Sequence, residues 1–141
     1  MKRRADETQR GFTEAAKGAA LIEENSQSNW ELLKATLKGD VEEFVKESDL
    51  AKTQRLRIDI YPDIPYKLTV LTLVQPILGM DVLMKEGQNP TLVVYISRQG
   101  MQDSEDVYRF LPDGFTDGDR YYSPDNLVEK LFYIVRDHVS A

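Results

Sequence analysis

The chain has 141 residues, 41% of them hydrophobic and 30% charged, with a formal net charge of −6, one histidine and no cysteine. That length suits one domain able to bury about two-thirds of its unfolded surface without disulfides or metals. The missing thiol excludes a cysteine nucleophile, a cysteine-rich zinc site, an iron–sulfur cluster and a redox dithiol.

Both halves share the acidic excess: residues 1–50 hold 8 basic and 11 acidic side chains, residues 51–141 hold 10 and 13. Phosphate binding needs clustered lysine and arginine, and beyond Lys2-Arg3-Arg4 no such cluster occurs, so no nucleic acid is expected as a partner. No apolar run approaches the roughly 20 residues that span a bilayer, and Ala5-Asp6-Glu7 stands where a signal peptide would turn apolar. The expectation is a cytoplasmic protein without membrane contact.

Residues 5–24 read as a helix whose narrow stripe, Phe12, Ala15, Ala16, Ala19 and Ile22, is mostly alanine. Gln27-Ser28-Asn29 interrupts it, and Ser28-Asn29-Trp30-Glu31 matches a capping box for a second helix. Trp30, Leu33, Leu37, Val41, Phe44 and Val45 then hold one face to about residue 49, in a phase that Gly39 does not disturb.

Past residue 55 the period changes from 3.6 to 2. Leu56, Ile58 and Ile60 alternate with polar residues as a half-buried strand, whereas residues 66–74 are apolar on both parities and read as a strand covered on both faces. Residues 78–85, the turn Gly87-Gln88-Asn89-Pro90 and a returning strand carrying Leu92, Val94 and Ile96 make a hairpin. A short strand at about 106–111 precedes a loop rich in turn formers at 112–120. Ser123-Pro124-Asp125 caps a last helix with Leu127, Val128, Leu131, Phe132, Val135 and Val139 on one face.

The expected fold class is therefore α+β: two N-terminal helices, an antiparallel meander of about five strands, and a C-terminal helix packed on the sheet. All belong to one domain over 1–141. Residues 1–10 are free to stay disordered in this reading, and 11–27 form an N-terminal helix available for association.

No constellation of catalytic groups emerges. His138 lies near the chain end with no second group in register, and is read as a histidine favoured by a helix C-terminus. Asp113, Asp117 and Asp119 resemble a loose cation loop, but their spacing fails the EF-hand pattern, so they are read as solvated turn residues. Asp59 and Asp81, outward on two strands, could pair as glycosidic carboxylates, although outward acids are ordinary on a wet sheet face. Ser123-Pro124 also fits a proline-directed phosphorylation site, a role its capping duty makes unnecessary.

The expectation is a protein without enzymatic activity, cofactor or metal that binds another protein. Tyr61, Tyr66, Tyr95, Tyr121 and Tyr122 fall on wet parities, strand edges or loops, where tyrosine commonly anchors contacts. Together with Phe12, Ala16 and Ala19 of the alanine-rich stripe, Tyr61, Tyr95, Tyr121 and Tyr122 form the candidate interaction set. The acidic charge favours a basic partner, with a homodimer through the first helix as a further expectation. The alternative is a small-molecule or lipid-binding domain with an apolar pocket lined by Met80, Met84, Leu131 and Phe132.

Overall fold

A computed structural model describes the backbone of residues 2–62 and 66–140, and the side chains of 25–62 and 66–140. Helix α1 (Lys2–Glu47) and the short α2 (Asp49–Thr53) precede a run of strands, β1 (Leu56–Tyr61), β2 (Tyr66–Thr72), β3 (Leu78–Lys85), β4 (Thr91–Arg98), β5 (Ser104–Leu111), β6 (Gly114–Thr116) and β7 (Tyr121–Tyr122), and helix α3 (Pro124–Ser140) closes the chain. The α+β class, the antiparallel sheet and the C-terminal helix are as expected. One long N-terminal helix and seven strands replace the two helices and five strands.

The expected break at residues 27–29 is absent because tertiary contacts satisfy its polar residues inside a helix. Asn29 is buried and its Nδ2 donates to the Leu111 carbonyl (3.2 Å), while Gln27 reaches Glu31 one turn on (3.4 Å). The buried Ser26 joins the same face. A capping box is only a local preference, and here the packed face overrides it. Gly39 is exposed and leaves the helix unbroken. Helix α1 ends at Glu47, and Ser48 then caps α2 by accepting from the Ala51 amide (3.1 Å). Arg55, at φ 53, turns the chain into β1, a left-handed conformation unusual for a residue with a side chain.

Strands β1 to β7 form one antiparallel sheet in sequence order. A row on its inner face reads Ile58, Val70, Met80 and Ile96 across four strands, and the next reads Ile60, Leu68, Val82, Val94. Leu68, Val70, Leu78, Met80, Val82, Met84, Leu92, Val94 and Ile96 are all buried. Of the two additional strands, β6 lies within the turn-rich 112–120 segment and β7 directly follows it. β6 has three residues, too few to display a period, and Gly114 is required there because a Cβ would strike the Tyr122 carbonyl.

β2 is covered on one face only, contrary to the expectation of burial on both. Leu68, Val70 and Thr72 are buried, Leu71 is half-buried, and Leu73 and Val74 lie past the strand end, exposed. Apolar residues on both parities reflect a strand plus its turn rather than a second covering layer.

Both helices lie on the inner face. Helix α1 touches β5 near Asn29 and approaches β1 further on, so it crosses the sheet obliquely. Trp30, Leu33, Leu37 and Val41 are at most 1% exposed. Helix α3 packs beside α1, presenting Leu127, Val128, Leu131, Val135 and Val139 to the core, with Phe132 edge-on to Phe44 at 5.5 Å. Polar bonds hold the end of this layer. The ring N–H of His138 at Nε2 donates to the Pro76 carbonyl (2.8 Å), which also accepts from Thr72 Oγ1 (3.0 Å), and Gln54 Nε2 donates to the Val139 carbonyl (3.1 Å).

At 1.5 Å per residue the 46 residues of α1 extend roughly 69 Å, whereas strands of 8 residues extend roughly 27 Å. The sheet therefore cannot support the whole helix. Residues 1–10, which the sequence leaves free to stay disordered, and the stripe of Phe12, Ala16 and Ala19 fall outside the residues whose side chains are described.

The two sides of α1 should respond differently to truncation. Leu37→Ala, in the packed face, should cost about 2–5 kcal/mol, and Leu32→Ala, on the exposed side, within about 0.5 kcal/mol. Urea denaturation of the two variants measures both.

Candidate interaction surfaces

The face of the sheet opposite the helices is open, and its rows follow from the strand register. One runs Tyr61, Lys67, Leu83, Val93, Val107, and the next runs Asp59, Thr69, Asp81, Tyr95, Glu105. Tyr61, Tyr95 and Val107 are exposed, while Val93 is buried. An apolar row thus lies beside an acidic one.

A cleft of about 160 Å³ opens on this face, lined by Gly79, Asp81, Tyr95, Ser97, Asp103 and Ser104. Its floor follows from β3 having glycine opposite Ser97, where a side chain would otherwise stand. Asp81 accepts a hydrogen bond from Thr69 Oγ1 (2.7 Å) and lies 3.9 Å from Lys67 Nζ. Lys67 also sits 5.3 Å from the Tyr61 ring centroid.

The candidate tyrosines separate. Tyr61 and Tyr95 share the open face. Tyr121 lies on the far edge strand, exposed, with its hydroxyl donating to the Asp113 carbonyl (3.0 Å). Tyr122 points to the helix side instead: it meets Tyr108 edge-on at 5.8 Å, donates to Asp117 Oδ2 (3.2 Å) and accepts from Lys130 Nζ (3.5 Å). Tyr66, also on the inner parity, is half-buried against the core. Alternation alone could not assign Tyr122, because a two-residue strand has no period.

Lys130 lies between the Tyr108 and Tyr122 rings, 5.3 and 5.1 Å from their centroids. Burial pushes the Tyr108 phenol up, and the hydrogen bond to Tyr108 holds the Lys130 ammonium up against its own partial burial. Near neutral pH the phenol stays protonated and the amine charged, so neither is poised as a general base. The cluster fastens α3 to β5 and β7.

The other candidate residues have structural partners. Asp117 Oδ1 accepts from the Arg120 and Asp119 amides (2.8 and 2.9 Å), and these bonds hold its carboxyl below the usual range. That is a turn cap. Among the described residues no three histidine, cysteine or carboxylate side chains are grouped to hold a metal ion. Asp59 and Asp81 are separated by the whole of β2, roughly 10 Å, and Asp59 pairs with Arg57 (3.0 Å), so they are not the neighbours that outward parity allowed. Ser123 caps α3 by accepting from the Asn126 amide (3.2 Å). Met80, Met84 and Leu131 are buried in the core cluster, with Phe132 packed against it.

A second cleft, of about 300 Å³, escaped the sequence reading. Val41, Glu42, Val45 and Lys46 of α1 line it with Leu56, Arg57 and Ile58 of β1. Each residue is visible in the sequence, but their meeting depends on α1 leaving the sheet beside its edge strand. Among the described residues, no helix is long and apolar enough to cross a membrane. Comparisons of the chain with protein-family models, curated proteins and solved structures find no match.

Asp40, on α1, faces the start of α3. Burial, then Glu43, then Asp125 raise its pKa above the usual carboxylate value. A folded pKa above the unfolded one means that ionisation opposes folding, so the charge lowers stability at neutral pH and the penalty disappears as pH falls below the unfolded value. Asp40→Asn should therefore raise the Tm at about pH 7, with the gain shrinking toward zero near about pH 3. Melting curves across that range measure it.

Proposed function

We propose that this protein is a non-enzymatic interaction domain that binds a basic protein segment on the open face of its sheet. The observation that carries this reading is the juxtaposition of exposed Tyr95 and two carboxylates, Asp81 and Asp103, around one cleft. An aromatic face beside carboxylates suits a lysine or arginine side chain, which gains from both the ring and the charge. The neighbouring row of Tyr61, Leu83 and Val107 supplies apolar contact for the rest of such a segment.

Net charge supports the same partner. A chain at −6 attracts basic surfaces over distances near a Debye length, which speeds encounter more than it tightens the complex. Tyr121, at the far edge of the same face, extends the surface. The first-helix stripe of Phe12, Ala16 and Ala19 remains a proposal from sequence alone.

Affinity capture with the whole chain, followed by titration of the recovered partner, tests the reading. Tyr95→Ala should weaken binding by about 30-fold, and Asp103→Asn should weaken it by about 5-fold at low salt and less at high salt. A partner bound equally by the wild type and by Tyr95→Ala would show that the open face is not the site.

A further inference from the structure

β1 is the long free edge of the sheet. Among the described residues its outer side pairs with no strand along all six residues, whereas the opposite side is divided between residues 104–108 of β5, which β6 does not reach, and the two residues of β7. We propose that β1 pairs with β1 of a second copy, antiparallel about a two-fold axis through Ile58, joining the two sheets into one. This goes beyond the open-face reading and does not depend on it.

The argument is one of register. In a two-fold antiparallel pair, opposed residues lie on the same face, so the axis must pass through a residue pair rather than between pairs. Two registers engage five of the six residues of β1, with the axis at Ile58 or at Asp59. An axis at Asp59 opposes two aspartates, and like charges directly opposite are unfavourable. An axis at Ile58 opposes Arg57 to Asp59 twice on the open face, and on the inner face sets Leu56 against Ile60 and Ile58 against itself. Only this register matches both charge and apolarity.

The surroundings fit such a neighbour. Ile58 and Ile60 are half-buried, leaving apolar surface at the edge. The 300 Å³ cleft beside them, with apolar walls of Val41, Val45, Leu56 and Ile58, lies where the inner-face side chains of an added strand would enter. Edges guarded against pairing usually carry an unmatched charge or a proline within the strand. In β1 the two charges already neutralise each other at 3.0 Å, and the proline, Pro62, stands just past the strand end. A second strand would therefore meet no uncompensated charge, and its own Arg57 and Asp59 would extend the pair into an alternating group of four.

Charge exchange tests the register. In analytical ultracentrifugation the wild type should dimerise at tens of micromolar, an order-of-magnitude range for such an interface. Arg57→Asp and Asp59→Arg should each raise the dimer Kd about 10-fold or more, and the double exchange, which restores opposite charges across the axis, should return it to within about 3-fold of wild type. These side chains are exposed, so the fold should persist, as circular dichroism would verify.

The absence of cysteine allows an independent test. Ile58→Cys should form a disulfide-linked dimer on mild oxidation, because opposed Cα atoms lie about 4.5–5.5 Å apart in either kind of antiparallel pair. Arg57→Cys and Asp59→Cys should crosslink when mixed, and not separately. A wild type that stays monomeric at about 100 μM, or a dimer whose Kd ignores both single exchanges and whose Ile58→Cys variant does not crosslink, overturns the proposal. Tyr95→Ala leaves β1 untouched and should not change dimerisation, so failure of the open-face reading would remain a separate result.

Discussion

One-sided burial governs this protein. Its end strands, β1 and β7, do not pair with each other, so the sheet does not close around its own core and gains apolar burial by having one face covered, and α1 and α3 provide that cover. The helices meet the sheet through continuous stripes, Trp30 to Val41 and Leu127 to Val139, against rows such as Val82 and Val94. Hydrophobic area is the dominant favourable term in such packing. With the inner face sealed, the open face and the β1 edge remain as the chemically distinctive surfaces.

Polar bonds set where the layers stop rather than how strongly they adhere. Asn29 reaches the end of β5, and Gln54, Thr72 and His138 gather the α3 C-terminus to the β2–β3 connection. Each net bond contributes only about 1 kcal/mol, but leaving its buried carbonyl unpaired would cost more. These bonds therefore select one arrangement among several that would bury similar area. The only histidine in the chain makes one of these bonds.

The two proposed surfaces are compatible in geometry. A two-fold axis perpendicular to the sheet keeps both helix layers on one side and both open faces on the other. Paired copies would present two clefts lined by Tyr95 and Asp81 to the same partner surface, and simultaneous engagement would raise apparent affinity without any new contact. A partner with repeated basic segments would benefit most.

Long periodic elements were legible in the sequence, because burial of one face imposes a period that survives in the residues themselves. The α3 stripe, the β3 and β4 hairpin, and the passage of α1 through Gly39 all follow from such patterns. Shorter and polar elements were not legible. A three-residue β6 cannot show alternation, and Gln27-Ser28-Asn29 reads as a cap until Leu111, 82 residues away, arrives as the partner of Asn29. Of the candidate tyrosines, Tyr61 and Tyr95 could be assigned to the wet face by parity, while Tyr122 could not, since only the closing of β7 on β6 turns it toward Lys130. Composition determined by itself that cysteine chemistry is excluded and that the chain carries a net negative charge. Tertiary structure decided which face stays open and which strand ends the sheet, because those depend on strand order and helix placement, neither of which is a property of any local segment.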